Sequence, residues 1–160
     1  MSGEPIRLPT ITRRMFLAGS LAPFVADLRA DSAQEVWDLF AKMAAALSAA
    51  NPQEFLTAFD KSMPGYQKLR ENVTALISEF ELQSSVDFNK DDGDDRKRTV
   101  EADWLLILRP LDSANFKNAH AEVLASAQRE QVLKCTVTKE GRKWKVVSLE
   151  PLDFFAPPAP

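Results

Sequence analysis

The chain is poor in the residues that mark most kinds of protein chemistry. Among 160 residues it has one cysteine, Cys135, and one histidine, His120. A single thiol excludes a disulfide framework and a cysteine-ligated zinc site, and one imidazole cannot build a histidine-rich metal centre. Runs of about eighteen apolar residues are missing, so no mature segment spans a bilayer as a helix. The 20 basic residues do not outnumber the 23 acidic ones, which removes the basic bias of a nucleic-acid binder. A phosphate-binding glycine loop and a haem-ligation pattern are also missing, so no cofactor and no metal are expected. What remains is an ordinary globular composition, 45% hydrophobic and 27% charged, of single-domain length.

The first thirty residues stand apart from the rest. Thr12-Arg13-Arg14-Met15-Phe16-Leu17 precedes an apolar stretch that ends in small residues at Ala26 and Ala30, the layout of an export signal. Its apolar part, about eleven residues, is too short for a bilayer core of about 30 Å. The run resembles a bacterial twin-arginine (Tat) signal, Ser/Thr-Arg-Arg-x-Phe-Leu-Lys. Thr12, Arg13, Arg14, Phe16 and Leu17 match that pattern, and Ala18 stands where it prefers Lys. The resemblance implies passage through the Tat translocase to a periplasmic or extracellular location, with cleavage near Ala30 or, alternatively, Ala26. No cysteine lies nearby to carry a lipid. The competing reading makes residues 16–28 a helix of the mature fold, against which Gly19 and Pro23 count, since an interior proline costs about 3 kcal/mol. Residues 1–30 hold Arg7, Arg13, Arg14 and Arg29 against Glu4 and Asp27. Residues 31–160 therefore carry 16 basic and 21 acidic residues, a net charge of −5, which disfavours anionic lipid and nucleic acid as partners.

From residue 31 the chain reads as helices first and strands second. Ser32-Ala33-Gln34-Glu35 has the spacing of a capping box. Val36, Trp37, Phe40, Met43, Ala44 and Leu47 then follow at helical steps, giving an expected helix over 32–50. Asn51-Pro52 stops it and starts a second helix over 52–61, and Met63-Pro64-Gly65 turns into a third that bears Tyr66, Leu69, Val73, Leu76 and Ile77. From residue 80 the period falls to two. Leu82, Ser84, Val86 and Phe88 alternate with polar residues, a turn is expected over 89–95, and a second strand over 98–109. That strand becomes apolar on both sides at Leu105 and Ile107, as a strand covered on both faces would. A loop or short helix holding His120 leads to a hairpin of 131–139 and 143–149 around Gly141. The Pro-rich tail from Phe154 cannot continue a strand or a helix.

Helices followed by a four-stranded meander make an α+β domain with helices on one face of a curved sheet. This order resembles the nuclear-transport-factor-2-like superfamily, the cone-shaped, cystatin-like fold shared with ketosteroid isomerase and SnoaL-type cyclases. The run Gly141-Arg142-Lys143-Trp144-Lys145-Val146-Val147-Ser148-Leu149 is similar to its last strand. The resemblance implies a cone holding a ligand and, in the enzymes, a carboxylate with a Tyr, Asp or His. Asp60, Asp87 and Asp103 are the candidate carboxylates. Asp103, mid-strand among apolar neighbours, would serve as a base if desolvation raised its pKa; otherwise it is a solvated strand residue. Trp37, Tyr66 and Trp104 are the expected lining of an apolar cavity, although aromatics at such spacings also simply build cores.

The acidic run from Asp87 invites a calcium reading that fails. Asp92 stands where the calcium loop needs Gly, and Arg98 where it needs Glu. Cys135 reads as a small buried hydrophobe. The first functional expectation is an exported, non-enzymatic domain that binds a small apolar ligand or a protein partner. The alternative is a cofactor-free isomerase, dehydratase or cyclase using Asp103. A third reading is a homodimer whose sheets pack through their aromatic faces.

Overall fold

The structure, a computed structural model, describes residues 23–111 and 127–159. Three helices, α1 (Pro23–Ser48), α2 (Pro52–Thr57) and α3 (Tyr66–Glu79), precede four strands, β1 (Phe80–Gly93), β2 (Lys97–Pro110), β3 (Ala127–Glu140) and β4 (Lys143–Glu150). A 3-10 turn, Leu152–Phe155, ends the order. The strands form one antiparallel sheet in sequence order, β1-β2-β3-β4. The α+β class expected from the sequence is the one observed.

α1 starts nine residues ahead of the expected capping box. Pro23 occupies its first position, where a missing N–H breaks no helical bond. Ser32 therefore caps nothing: it is buried inside the helix, and Glu35 reaches across to the sheet. The expected processing position near Ala30 lies within this helix of the uncleaved chain. Arg13, Arg14, Phe16 and Leu17 lie outside the described residues. At the other end the expected stop is present, since Asn51 Oδ1 accepts the Glu54 amide at 3.1 Å and Pro52 opens α2.

α2 ends four residues earlier than its apolar spacing predicts. The chain leaves the helix at Ala58 to cover the exposed edge of β4: the Val146 amide donates to Ala58 C=O at 2.8 Å, and the Asp60 amide to Val146 C=O at 2.9 Å. These two bonds cover part of an edge that would otherwise present unpaired N–H and C=O groups. β1 runs on through the expected turn by means of a bulge between Phe88 and Lys90. The hairpin tip moves to Asp94, whose carboxylate accepts the amides of Arg96 and Lys97 at 2.8 and 2.9 Å. Arg98, buried on the inner side, pairs with Asp91 at 2.8 Å.

On β2 the row Val100, Ala102, Trp104, Leu106 and Leu108 is fully buried beneath the helices. This corrects the aromatic-face dimer, because the face carrying Trp104 is already covered by the chain's own helices. Leu105 and Ile107 on the opposite face are half-buried, so the strand is not closed over on both sides among the described residues. The tail also departs from expectation. Its 3-10 turn inserts Phe154 and Phe155 into the core, and Arg129 Nη1 holds it by donating to Phe154 C=O at 2.7 Å. Phe155 meets Trp104 edge to face at 5.2 Å and Phe55 at 5.2 Å. Each such side chain buried contributes roughly 1.5–3 kcal/mol, and each edge-to-face pair about 0.5–1.5 kcal/mol more.

Candidate functional site

Between the helices and the inner face of the sheet, aromatic side chains of the described residues pack against one another. Trp104, Phe40, Phe55 and Phe155 are all fully buried, with Trp104 in ring contact with each of the other three and Phe55 with Phe155. The Trp104 indole N–H is spent on Ser84 Oγ at 2.8 Å. Trp104 is thus part of the core. Trp37 lies half-buried on α1 and packs edge-on against Phe88 at 5.1 Å. Tyr66, also half-buried, opens α3 behind Gly65. The structure does not bring these three residues together.

Asp103 sits on the outer face of the sheet, one residue out of phase with Ala102 and Trp104, opposite Asp87 on β1 and Val132 on β3. A strand turns alternate side chains to opposite faces, so Asp103 cannot act inside the cone. Asp87 is exposed and accepts the Phe88 amide at 2.9 Å. Asp60 bonds the Ser62 hydroxyl at 2.7 Å and its amide at 2.8 Å, and these two bonds hold its carboxyl below the usual range. Among residues 31–111 and 127–159 no aspartate or glutamate is buried. Burial pushes the Cys135 thiol up to about 12, which denies it thiolate reactivity. No group of three potential metal ligands occurs among the described residues. His120 lies outside them. The Asn72 amide nitrogen is buried without a partner among them.

The structure does offer a site that sequence reasoning missed. A groove of about 450 Å³ runs between α1, α2 and β4, lined by Glu35, Asp38, Leu39, Lys42 and Met43 on the helix and by Lys143, Trp144 and Lys145 on the strand. The helical residues fall at steps of three and four, hence on one side of α1. Glu54, Thr57 and Ala58 of α2 and its C-terminal end close the groove. Its floor is apolar: Met43, Ala58 and Trp144 are buried, and Leu39 half-buried.

Glu35 fixes the floor. Its carboxylate accepts the Trp144 indole N–H at 2.9 Å and faces Lys139 Nζ at 3.2 Å. The Trp144 bond, joined by Lys139, holds the Glu35 carboxyl below its ordinary value of 4.5. Lys139 also stands 5.8 Å over the Trp144 ring. Lys145 Nζ donates to Thr57 C=O. The strand edge contributes as well. In an antiparallel strand alternate residues turn their N–H and C=O to the same side, and Val146 turns both toward Ala58 and Asp60. Trp144, two residues earlier, therefore turns its own pair outward, where helical α2 supplies no ladder partner among the described residues. Nothing in the local sequence announces this groove, because its two halves are a hundred residues apart.

Comparisons with known proteins bear on the fold. No protein-family model matches the sequence. No curated protein matches it at a significant level. Solved structures do resemble it. A nuclear transport factor 2 (NTF2-like) superfamily protein from Salmonella enterica serovar Typhimurium superposes with a TM-score of 0.55 at 12% identity, over 75% of this chain and 89% of that one. A hexachlorocyclohexane dehydrochlorinase (LinA, type 2) gives 0.55 at 12% identity, over 74% and 82%. A protein of unknown function with a cystatin-like fold from Nostoc punctiforme gives 0.53 at 18% identity, over 72% and 86%. At such identities the likeness shows architecture alone: helices followed by an open four-stranded antiparallel sheet, the nuclear-transport-factor-2-like and cystatin-like fold.

Proposed function

We propose that this chain is an exported, non-catalytic binding domain that works through its surface groove and not through the interior of its cone. The observation that carries this reading is the aromatic plug. Phe55, Trp104 and Phe155 pack against one another on the inner side of the sheet, where the resemblance would place a ligand, and no buried carboxylate stands among residues 31–111 and 127–159 to serve as a base. The groove at Trp144 has the composition of a ligand site, an apolar floor with a few polar groups on its rim. Neighbours with this fold include a dehydrochlorinase, but a shared fold does not transfer an activity.

A screen of small apolar molecules against the full chain, with binding located by amide chemical shifts, tests the reading. Perturbations gathered at Leu39, Met43 and Trp144 support it. Perturbations centred on Ser84, Trp104 and Phe155 overturn it, because they place the ligand in the cone. Export is tested separately. Replacing Arg13 and Arg14 with Lys should block secretion, and secretion that survives the change replaces the Tat assignment with a general signal.

A second reading is favoured by the outer face of the sheet, where Val132 is 39% exposed beside half-buried Leu105 and Ile107. Two copies packed through this face would form a homodimer. Sedimentation equilibrium of the wild type against Val132→Asp decides it: a dimer that dissociates supports the interface, and a wild-type monomer removes it.

A further inference from the structure

Resting on the reading of the Trp144 groove as the binding surface, we infer that its occupant is an extended peptide segment of another protein, paired with the edge of β4 at Trp144. The inference follows from three observations that meet at this residue. The first is the strand edge. β4 is the last strand of the sheet, and among the described residues the chain lays only residues 58–60 beside it. They pair with Val146 as a bridge between Phe59 and Val146, and the track they follow becomes the end of α2 at Thr57, before it reaches Trp144. The outward N–H and C=O of Trp144 have no partner among the described residues. An edge residue in this state is open to pairing with another chain, and residues 58–60 show that an extended segment fits beside β4 two residues farther on.

The second observation is the balance of the rim. Glu35, Asp38 and Glu54 each hold a donor on one oxygen only, which leaves Glu35 Oε2, Asp38 Oδ2 and Glu54 Oε1 without partners among the described residues. Lys42 and Lys143 likewise have no hydrogen-bond or ion-pair partner among them, while Lys145 is tied to Thr57 C=O. A rim open in acceptors and donors alike is not answered by a ligand with one kind of group, such as a lone carboxylate or a polyamine. A peptide carries one N–H and one C=O at each residue, the same pair that Trp144 leaves open.

The third observation is the floor. Cross-strand neighbours turn their side chains to the same face of a sheet, so the peptide residue opposite Trp144 points where Trp144 does, toward Leu39 and Met43 of α1. That residue is apolar, and the residues on either side of it point to the opposite face, with Lys143 and Lys145. Backbone bonds then supply affinity, and the one apolar side chain fixes the register.

A library of random heptapeptides displayed on phage and panned on the full chain supplies the probe, and the tightest binder is synthesised with acetylated and amidated ends. In its complex, exchange of the Trp144 amide with solvent should slow at least about tenfold. The amides of Lys143 and Lys145, which alternation turns toward β3, should exchange as in the free chain. Methylating the peptide's backbone nitrogens one at a time should weaken binding about tenfold at the one position whose N–H meets Trp144 C=O, and little at the positions beside it. If the panning yields no binder, or if the binders leave Trp144 exchanging as in the free chain, the peptide assignment is overturned. Small apolar molecules that then still shift Leu39 and Met43 leave the groove reading standing. If neither peptides nor small molecules perturb groove amides, the groove reading itself is overturned.

Discussion

Two tryptophans on the same face of the sheet are used in opposite ways. Trp104, on β2, is fully buried, and its indole N–H meets the neutral hydroxyl of Ser84 at 2.8 Å. Trp144, on the edge strand β4, is almost as buried, yet its N–H meets the charged carboxylate of Glu35, whose side chain is 47% exposed. A buried indole needs a partner in both places. In the closed region a hydroxyl suffices, because nothing has to be recognised there. In the open region the partner is an ion at the rim, so the bond that orders the ring also ties it to one of the charged groups lining the groove. Position in the sheet decides which use is available. The central strand is covered by helices on its inner face, whereas the edge strand is covered only where residues 58–60 reach it.

Perturbing each side of this comparison gives effects of different size. Phe155→Ala removes the ring that completes the plug, and a loss of about 3–5 kcal/mol is expected from lost transfer energy plus the cavity left behind, read as a drop in the urea midpoint. A ligand newly bound at Trp104 in that variant would show that the cone is closed only by the tail. Ser84→Ala leaves the Trp104 N–H buried without a partner and should cost about 2 kcal/mol in the same assay, with no effect on binding at the groove. Gly65→Ala comes next. Gly65 has φ of +82°, and an added Cβ would lie 2.3 Å from Leu152 Cδ1 at the start of the tail turn. A loss of about 1–2 kcal/mol is expected, with earlier hydrogen exchange at Phe154 and Phe155 than elsewhere in the core.

Much of the closed region was legible in the sequence, and little of the open one. The spacing of Val36, Phe40, Met43 and Leu47, and the alternation of Val100, Ala102, Trp104, Leu106 and Leu108, report burial directly, because helix and strand each turn one periodic face to the core. Ser32 and Glu35 misled for a physical reason: the capping spacing is present, but the helix extends upstream to Pro23 and Glu35 finds stronger donors on the sheet. The tail misled in another way. Proline-rich composition argues correctly against regular structure beyond residue 156, and it says nothing about whether Phe154 and Phe155 pack inside. The groove joins Glu35 to Trp144 across a sequence separation of 109 residues. No local pattern encodes such a contact; only the packing of α1 against the last hairpin creates it.

The smallest effect probes the open side through its titration. Glu35→Gln keeps an acceptor for the Trp144 indole but removes the charge that faces Lys139. With its carboxylate about half exposed, solvent screens the pair, and at neutral pH the variant should lose less than about 1 kcal/mol. The sign of the pH dependence is set by the direction of the shift. The Glu35 pKa is lower in the folded chain than its ordinary value of 4.5, chiefly through the Trp144 bond. Its contribution is therefore present above pH 4.5 and is lost as the pH falls through the folded pKa. Urea midpoints of wild type and variant, measured from neutral pH downward, should differ by a constant amount above pH 4.5 and converge below it. Curves that stay parallel to the lowest pH would show that the carboxylate does not titrate with folding, and that the Trp144 ring is held by its packing on α1 and not by the ion at the rim.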